Sequence, residues 1–225
     1  MEFKCSDVNL WREALSAYSA RIESLNKPDL VSLDSFYRHQ LPPLLRGRNP
    51  NPHITKSELS QLMKWKLTRG KWSLCFSAEI EFRPRLMDFV SSLDEGTVKS
   101  ASQKAFQALP DISKVVSELT VLKGVGPATA SAILAAYAPE VAPFMSDEAM
   151  EAALGSSKDY SLKQYMLFVE KLQAKAKELS TEVDAFTPSD VERALWSSAA
   201  GAKLSDPPSL SKTSVQSGSK RKRKP

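Results

Sequence analysis

The chain has 225 residues, of which 42% are hydrophobic and 25% are charged, so it can bury one sizeable core or two small ones. Its two cysteines, Cys5 and Cys75, are too few for a disulfide scaffold, a four-cysteine iron–sulfur cluster or a multi-cysteine zinc site. No apolar run approaches the roughly 20 residues that span a bilayer, so we expect no membrane insertion.

The formal net charge of +5 comes from the C-terminus. Residues 201–225 hold seven Lys or Arg and one Asp, so they carry +6 and the preceding 200 residues carry −1. The segment is rich in Ser, Pro, Gly and Lys and is predicted to be a disordered basic tail. Its last residues, SKRKRKP, are typical of a nuclear-import signal, which predicts a nuclear protein that binds the import machinery. A merely solubilising tail is the alternative.

Residues 1–200 are predicted to form one helical domain. An apolar stripe predicts a helix over 8–25 and a second helix follows over 30–40. The next segment, LPPLLRGRNPNPHI, is predicted to be a proline-rich connection. Further helices are predicted over 55–67, 84–93, 97–108, 112–121, 127–138, 147–154, 161–179 and 188–199.

Two of these helices begin with a capping-box pattern, Thr55 with Glu58 and Ser189 with Glu192. Strand-like sequence is confined to residues 73–82. The predicted fold class is therefore all-α.

The segment VVSELTVLKGVGPATASAILAAYAPE, residues 115–140, predicts two helices joined by a tight turn. Gly124 and Gly126 flank Val125, which allows a positive φ in the turn while Val125 points inward. Pro127 opens the second helix, where its missing N–H costs nothing. We therefore expect bare backbone N–H groups at a helix N-terminus, an arrangement that binds phosphate.

This segment, at about 112–138, resembles the helix-hairpin-helix motif of DNA-binding proteins, whose turn follows the pattern Leu-x-Gly-hydrophobic-Gly. The resemblance implies contact with the backbone of double-stranded DNA without base recognition. The residues expected to make this contact are Lys123, Gly124, Val125, Gly126 and Thr129. The resemblance also implies an alkali cation at the backbone carbonyls of Leu122 and Val125. No other metal site is expected, because His39 and His53 lack further ligands at suitable spacing.

Two alternatives to a DNA-binding hairpin remain. Gly124, Gly126 and Thr129 partly match the dinucleotide fingerprint G-x-G-x-x-G/A, which needs a preceding strand, here ELTVL, and a parallel sheet. That alternative would make the protein a small-molecule nucleotide binder. The other alternative is a plain helix–turn–helix connector.

Residues 117–154 are similar to DNA glycosylases of the endonuclease III superfamily, close to a eukaryotic branch of it. In that superfamily an aspartate follows the hairpin's second helix, and Asp147 stands 23 residues beyond Gly124 at a similar spacing. The resemblance implies a glycosylase-like helical bundle that flips a base out of DNA and uses Asp147 to stabilise the oxocarbenium-like sugar. Ala128 occupies the position of the Schiff-base lysine of bifunctional members, so we expect a monofunctional DNA-repair enzyme.

Asp147 also has a structural explanation. With Ser146 it begins a predicted helix, where Asp or Ser is favoured as the N-cap. Two functional classes therefore stay open: a monofunctional DNA glycosylase, and a non-catalytic nuclear DNA-binding or adaptor protein that retains only the hairpin. A concave pocket beside Asp147 would favour the enzyme, and its absence would favour the adaptor.

A second candidate DNA contact is the basic segment KWKLTRGK, residues 64–71. It places Lys64, Lys66, Arg69 and Lys71 around Trp65, a pattern that suits phosphate neutralisation next to base stacking. In the alternative interpretation Trp65 packs inward and the cations are simply solvated. This run and the later FRPRL segment resemble adjacent blocks of eukaryotic nuclear proteins that carry the same hairpin, so residues 73–82 are interpreted as an insertion.

Overall fold

A computed structural model of the chain describes residues 1–70, 84–155, 159–182 and 185–205. Regular structure in these ranges is helical and includes no strand, which confirms the all-α prediction. The strand-like stretch 73–82 and the basic tail from residue 206 onward lie outside the described residues. Of the described helices, none has the length and apolarity needed to cross a bilayer.

Twelve α-helices follow one another along the described ranges. They are α1 (Val8–Ser16), α2 (Tyr18–Ser24), α3 (Leu30–Ser35), α4 (Leu41–Gly47), α5 (Lys56–Arg69), α6 (Pro84–Ser91), α7 (Glu95–Gln107), α8 (Ile112–Thr120), α9 (Pro127–Tyr137), α10 (Asp147–Leu154), α11 (Leu162–Leu179) and α12 (Pro188–Ser205). A π-helical turn, Phe36–Gln40, joins α3 to α4.

The N-terminal third differs from the sequence prediction in two places. The predicted helix 8–25 is divided at Ala17 into α1 and α2. The predicted proline-rich connection begins with helix α4 instead, because Pro42 and Pro43 fall in its first turn. Prolines are tolerated there since first-turn N–H groups have no partner within the helix.

Helix α12 extends past the predicted domain boundary at residue 200 and ends at Ser205. Gly201 is buried and lies against Arg21, so close that an added Cβ would be 2.9 Å from the guanidinium. The helix therefore packs against α2 as far as Gly201, although the local composition is that of a flexible segment.

The two predicted capping boxes have different outcomes. The box at Thr55 is present and begins α5 as predicted. The box predicted for Ser189 and Glu192 is wrong, because Thr187 and Asp190 exchange the reciprocal hydrogen bonds at this helix start. The Glu192 side chain therefore does not cap the helix and is buried in the interior of the protein.

Helix α9 is central to the core. Most of its residues are buried, and it packs against α4, α5, α8 and α11. Its small residues let Tyr37 approach closely enough to donate to the Ala132 carbonyl oxygen at 2.8 Å. The Tyr37 ring stacks on Trp65 with 3.5 Å between centroids, which ties α5 to the same layer.

A buried ionic cluster joins α5, α12 and the π-helical turn. Glu192 is fully buried, with Oε1 accepting from Arg69 at 3.0 Å and Oε2 lying 3.8 Å from Arg38. Asp34 is also buried and accepts from the Trp65 indole N–H at 2.7 Å. Because charges away from water require partners, this cluster fixes the relative positions of these elements.

Candidate functional site

The turn between α8 and α9 has the geometry expected of the hairpin. The Val125 amide donates to the Leu122 carbonyl at 2.9 Å, which closes the turn. Gly124 has a φ of +86°, which favours glycine. Val125 is 4% exposed and packs into the core, as predicted.

Several backbone N–H groups at this turn make no hydrogen bond within the described part of the chain. Gly126 is the exposed N-cap of α9, and its carbonyl accepts from Thr129 and Ala130 at 2.9 Å. Within the described part of the chain, the amides of Gly124, Gly126 and Ala128 have no hydrogen-bond partner. The turn therefore combines bare N–H donors with a helix N-terminus, as an anion site requires.

Helix α6 covers one side of the turn. A Cβ built on Gly124 would lie 2.9 Å from the Phe89 Cβ, and the Lys123 ammonium sits 4.5 Å from the centre of the Phe89 ring. A Cβ on Gly126 would meet nothing within 4 Å. The open side of the hairpin is therefore at Gly126, while Lys123 is exposed at the side where α6 packs.

The predicted basic DNA contact at residues 64–71 requires correction. Arg69 is 3% exposed and engages Glu192, so it is buried in the ionic cluster instead of facing solvent. Trp65 is fully buried and cannot stack on a base, as the alternative interpretation expected. Lys71 lies outside the described residues.

Lys64 and Lys66, the two α5 lysines within the basic segment, lie on different faces of the helix. Lys66 donates to the Thr129 hydroxyl at 3.1 Å and so reaches the first turns of α9 beside the hairpin. Thr129 is 3% exposed, so its hydroxyl holds Lys66 instead of contacting a phosphate directly, which corrects its predicted role. Lys64 is exposed but stands about 200° around the helix from Lys66, because each residue turns an α-helix by about 100°.

The dinucleotide-binding alternative is wrong, because the residues before Lys123 form α8 and the described chain has no strand.

The alkali cation at the carbonyl oxygens of Leu122 and Val125 stays a prediction. A carbonyl oxygen has two lone pairs, so the Leu122 carbonyl can bind a cation while it accepts a hydrogen bond from the Val125 amide. Across the described ranges, no group of three His, Cys, Asp or Glu side chains is arranged to hold a metal.

The loop before Asp147 is fixed by side chains from three helices. The Ser131 hydroxyl of α9 accepts from the Met145 amide at 2.9 Å, and the Tyr165 hydroxyl of α11 donates to the Pro143 carbonyl at 3.0 Å. The Ser189 hydroxyl of α12 donates to the Ala142 carbonyl oxygen in the same loop at 3.1 Å. These bonds set the position of Asp147 relative to the hairpin.

Asp147 is the first residue of α10, and Ser146 is its N-cap. The Ser146 side chain makes no capping bond, and Asp147 accepts instead from the Tyr160 hydroxyl, 2.6 Å from Oδ1. Asp147 is therefore not the N-cap residue; its carboxylate lies in the first turn of α10, where the helix dipole favours a negative charge.

A cavity of about 240 Å³ opens beside Asp147. This is slightly below the roughly 300–1,000 Å³ of sites for drug-sized ligands, so it suits one small ring system. Its lining includes the aromatic residues Phe144, Tyr160 and Trp196 and the polar residues Lys66, Arg69, Ser146, Asp147 and Glu148. Ala128, the second residue of α9, also lines it, so the cavity adjoins the hairpin.

Several residues of the cavity lining were not predicted as site residues. Ser146 was considered only as a helix cap, and Phe144 lies three residues before Asp147, a position in the chain that was the available signal. Trp196 comes from α12, far away in the chain, and nothing local marks it. Comparisons of the chain with protein-family models, with curated proteins and with solved structures gave no match.

Proposed function

We propose that this protein is a helix-hairpin-helix DNA-binding protein of the DNA-glycosylase type and acts as a monofunctional DNA N-glycosylase in the nucleus. The proposal depends on one observation: Ala128, two residues beyond Gly126, lines the cavity that contains Asp147. A strand held at the hairpin amides therefore has its neighbouring nucleotide next to a cavity with a carboxylate in its wall.

The hairpin supplies the grip on DNA. The free amides at Gly124 and Gly126 bind one phosphate, and the exposed Lys123 adds a charge that does not depend on sequence. Because these groups carry no base information, selectivity must come from the cavity. Its size and aromatic walls suit one base that has rotated out of the duplex.

Asp147 supplies the chemistry. The bond between C1′ and the base nitrogen breaks, and its electron pair leaves with the base, while the carboxylate stabilises the positive sugar. Water then adds to C1′, and its proton passes through Asp147 to the departed base. The products are an abasic site and a free base. Ala128 has no amine, so no Schiff base forms at that position and the strand stays intact.

The alternative is a non-catalytic DNA-binding adaptor that retains only the hairpin. The bare hairpin amides support it equally well. The cavity and the Tyr160–Asp147 hydrogen bond support the enzyme, because a protein that only grips the backbone requires neither.

The decisive experiment measures base release from duplexes that each carry one modified or mismatched base, using the full chain and Asp147→Asn. We expect release by the wild type and a loss of at least a hundredfold in the variant, with duplex affinity kept. Binding without release from any duplex would support the adaptor. No binding to any duplex would overturn both candidates.

A further inference from the structure

A second cavity, of about 230 Å³, opens at the end of α9 that is remote from the hairpin. Ala135 and Ala136 in the last turns of α9 line it, whereas Ala128 near the start of that helix lines the cavity beside Asp147. Ala128 and Ala135 are about 10 Å apart along the helix axis, because each residue adds about 1.5 Å. The second cavity is therefore separate from the hairpin, and the proposed function does not use it.

Three arginines from three different elements line this second cavity. Arg38 comes from the π-helical turn, Arg46 from α4 and Arg193 from α12. Among the described residues of the lining, Asp190 alone is acidic. A guanidinium has donors, no acceptor and a permanent charge, so three of them beside one carboxylate favour an anion.

Arg38 and Arg193 each keep one donor that the protein does not use. Nη2 of Arg38 donates to the Tyr18 hydroxyl at 3.1 Å and lies 3.8 Å from the Glu192 carboxylate, and Nη2 of Arg193 donates to Asp190. The Nε atom of each arginine is enclosed by protein. Nη1 of each is not among the enclosed atoms and makes no hydrogen bond to the described part of the chain. The Arg38 side chain is only 10% exposed, so its Nη1 is an accessible donor on an otherwise buried group.

Arg46 gives the lining its net positive charge. The Asp190 carboxylate is already engaged, since Oδ1 accepts from Arg193 and Oδ2 accepts from the amide and the hydroxyl of Thr187. Arg38 and Arg193 are thus offset by the carboxylates next to them. Arg46 is exposed and makes no hydrogen bond or ion pair with the described residues. Its charge is therefore uncompensated, and the ligand that pairs with it must carry negative charge.

We infer that the second cavity binds the phosphate group of a small phosphate monoester, at a site distinct from the hairpin. A phosphate monoester presents three strong acceptor oxygens, so it can pair with all three arginines. A carboxylate has two oxygens, and a phosphodiester of the DNA backbone has two that are not bridging. The cavity is smaller than the roughly 300–1,000 Å³ of sites for drug-sized ligands, which suits a ligand of this size. The inference does not depend on the proposed function, because none of the three arginines lines the cavity beside Asp147 except through intervening residues.

Arg46→Gln is the sharpest test, with Lys104→Gln as the matched control. Both are exposed cations in the last turn of a helix, so each substitution removes one charge and the same interaction with a helix dipole. Lys104 is not part of the described lining of the second cavity. Both variants should therefore fold with the same small change in Tm. Inorganic phosphate, a deoxynucleoside 5′-monophosphate and acetate are titrated into the full chain by calorimetry at constant ionic strength.

We expect the wild type to bind inorganic phosphate and the monophosphate, and to bind acetate much more weakly. Arg46→Gln should weaken phosphate binding about tenfold, the effect of losing one charge-assisted hydrogen bond, while Lys104→Gln leaves it unchanged. Acetate that binds as tightly as phosphate overturns the inference. Absence of phosphate binding by the wild type, or equal effects of the two substitutions, overturns it as well.

Duplex binding identifies the source of the phosphate. We expect Arg46→Gln to bind duplex DNA as the wild type does, which would support a site for a free monoester. If Arg46→Gln lowers duplex affinity and inorganic phosphate does not bind, the cavity holds a phosphate of the DNA backbone and the inferred separate site is wrong. A wild type that binds phosphate but no duplex would overturn the proposed function and support this inference, because the titrations with small anions do not involve DNA.

Discussion

The Tyr160 hydroxyl lies 2.6 Å from Oδ1 of Asp147 and bridges the start of α10 and the segment that leads into α11. Hydrogen bonds from a neutral donor to a carboxylate are short and strong, so this contact orients the carboxylate in the cavity wall. Tyr160 is 38% exposed, so its ring contributes little to the core.

Tyr160→Phe should therefore lower the rate of base release about tenfold while leaving duplex affinity and Tm nearly unchanged. The loss comes from a carboxylate that is no longer held toward the sugar. Single-turnover base release, compared with duplex binding by anisotropy, measures the two effects separately. A parallel fall in affinity would show that Tyr160 contacts DNA instead of positioning Asp147.

The two hairpin glycines should respond differently to substitution. Gly126→Glu should fold normally, because nothing lies within 4 Å of an added Cβ, and should lower duplex affinity at least tenfold by placing a negative charge at the phosphate site. Gly126→Ala is the control and should bind almost as the wild type. Equal affinities of all three proteins in anisotropy titrations would contradict a phosphate contact at this turn.

Gly124→Ala should instead be destabilising, because Gly124 has a positive φ and an added Cβ would lie 2.9 Å from Phe89. Its loss of duplex affinity would therefore reflect a distorted turn. Thermal unfolding distinguishes the two cases: we expect a lower Tm for Gly124→Ala and an unchanged Tm for Gly126→Ala.

The ion pair of Arg69 and Glu192 should behave as a buried unit. Arg69→Met should lower the free energy of unfolding by about 3–5 kcal/mol, because the cation that then remains near the fully buried Glu192 carboxylate in the described part of the chain is the more distant Arg38. The double variant Arg69→Met/Glu192→Leu should recover most of that loss. Urea denaturation of the two single variants and the double variant gives the coupling. Additive losses would show that the pair is not a unit.

Glu58 makes the stability depend on acid pH. Burial alone would raise the pKa of Glu58, but hydrogen bonds from Arg48 and from Thr55 lower it below its ordinary value. A carboxylate with a lowered pKa in the folded state stabilises the protein above its unfolded-state pKa, about 4.3. That contribution is lost as the pH falls through the lowered, folded-state pKa.

Glu58→Gln should therefore lower the free energy of unfolding by about 1–2 kcal/mol at pH 7, and the difference from the wild type should shrink below about pH 4. Urea denaturation at several pH values measures it. Arg48→Met should show the same convergence at low pH, since it removes the other partner. A difference that does not shrink at all as the pH falls from 7 into the acid range would contradict this origin.

Local sequence patterns determined the hairpin, the capping box at Thr55 and the all-α class. These features depend on backbone hydrogen bonds and side-chain spacing within a few residues, which the chain carries wherever it folds. The turn at Gly124 could be predicted for that reason, including the inward position of Val125.

Tertiary structure alone decided which polar residues are buried and what surrounds Asp147. Arg69 has the same local context as an exposed cation, but its partner Glu192 lies 123 positions further along the chain. The cavity likewise combines residues of α5, α9, α10 and α12 with Tyr160. Because burial and pairing are set by contacts between distant segments, spacing within one helix cannot reveal them.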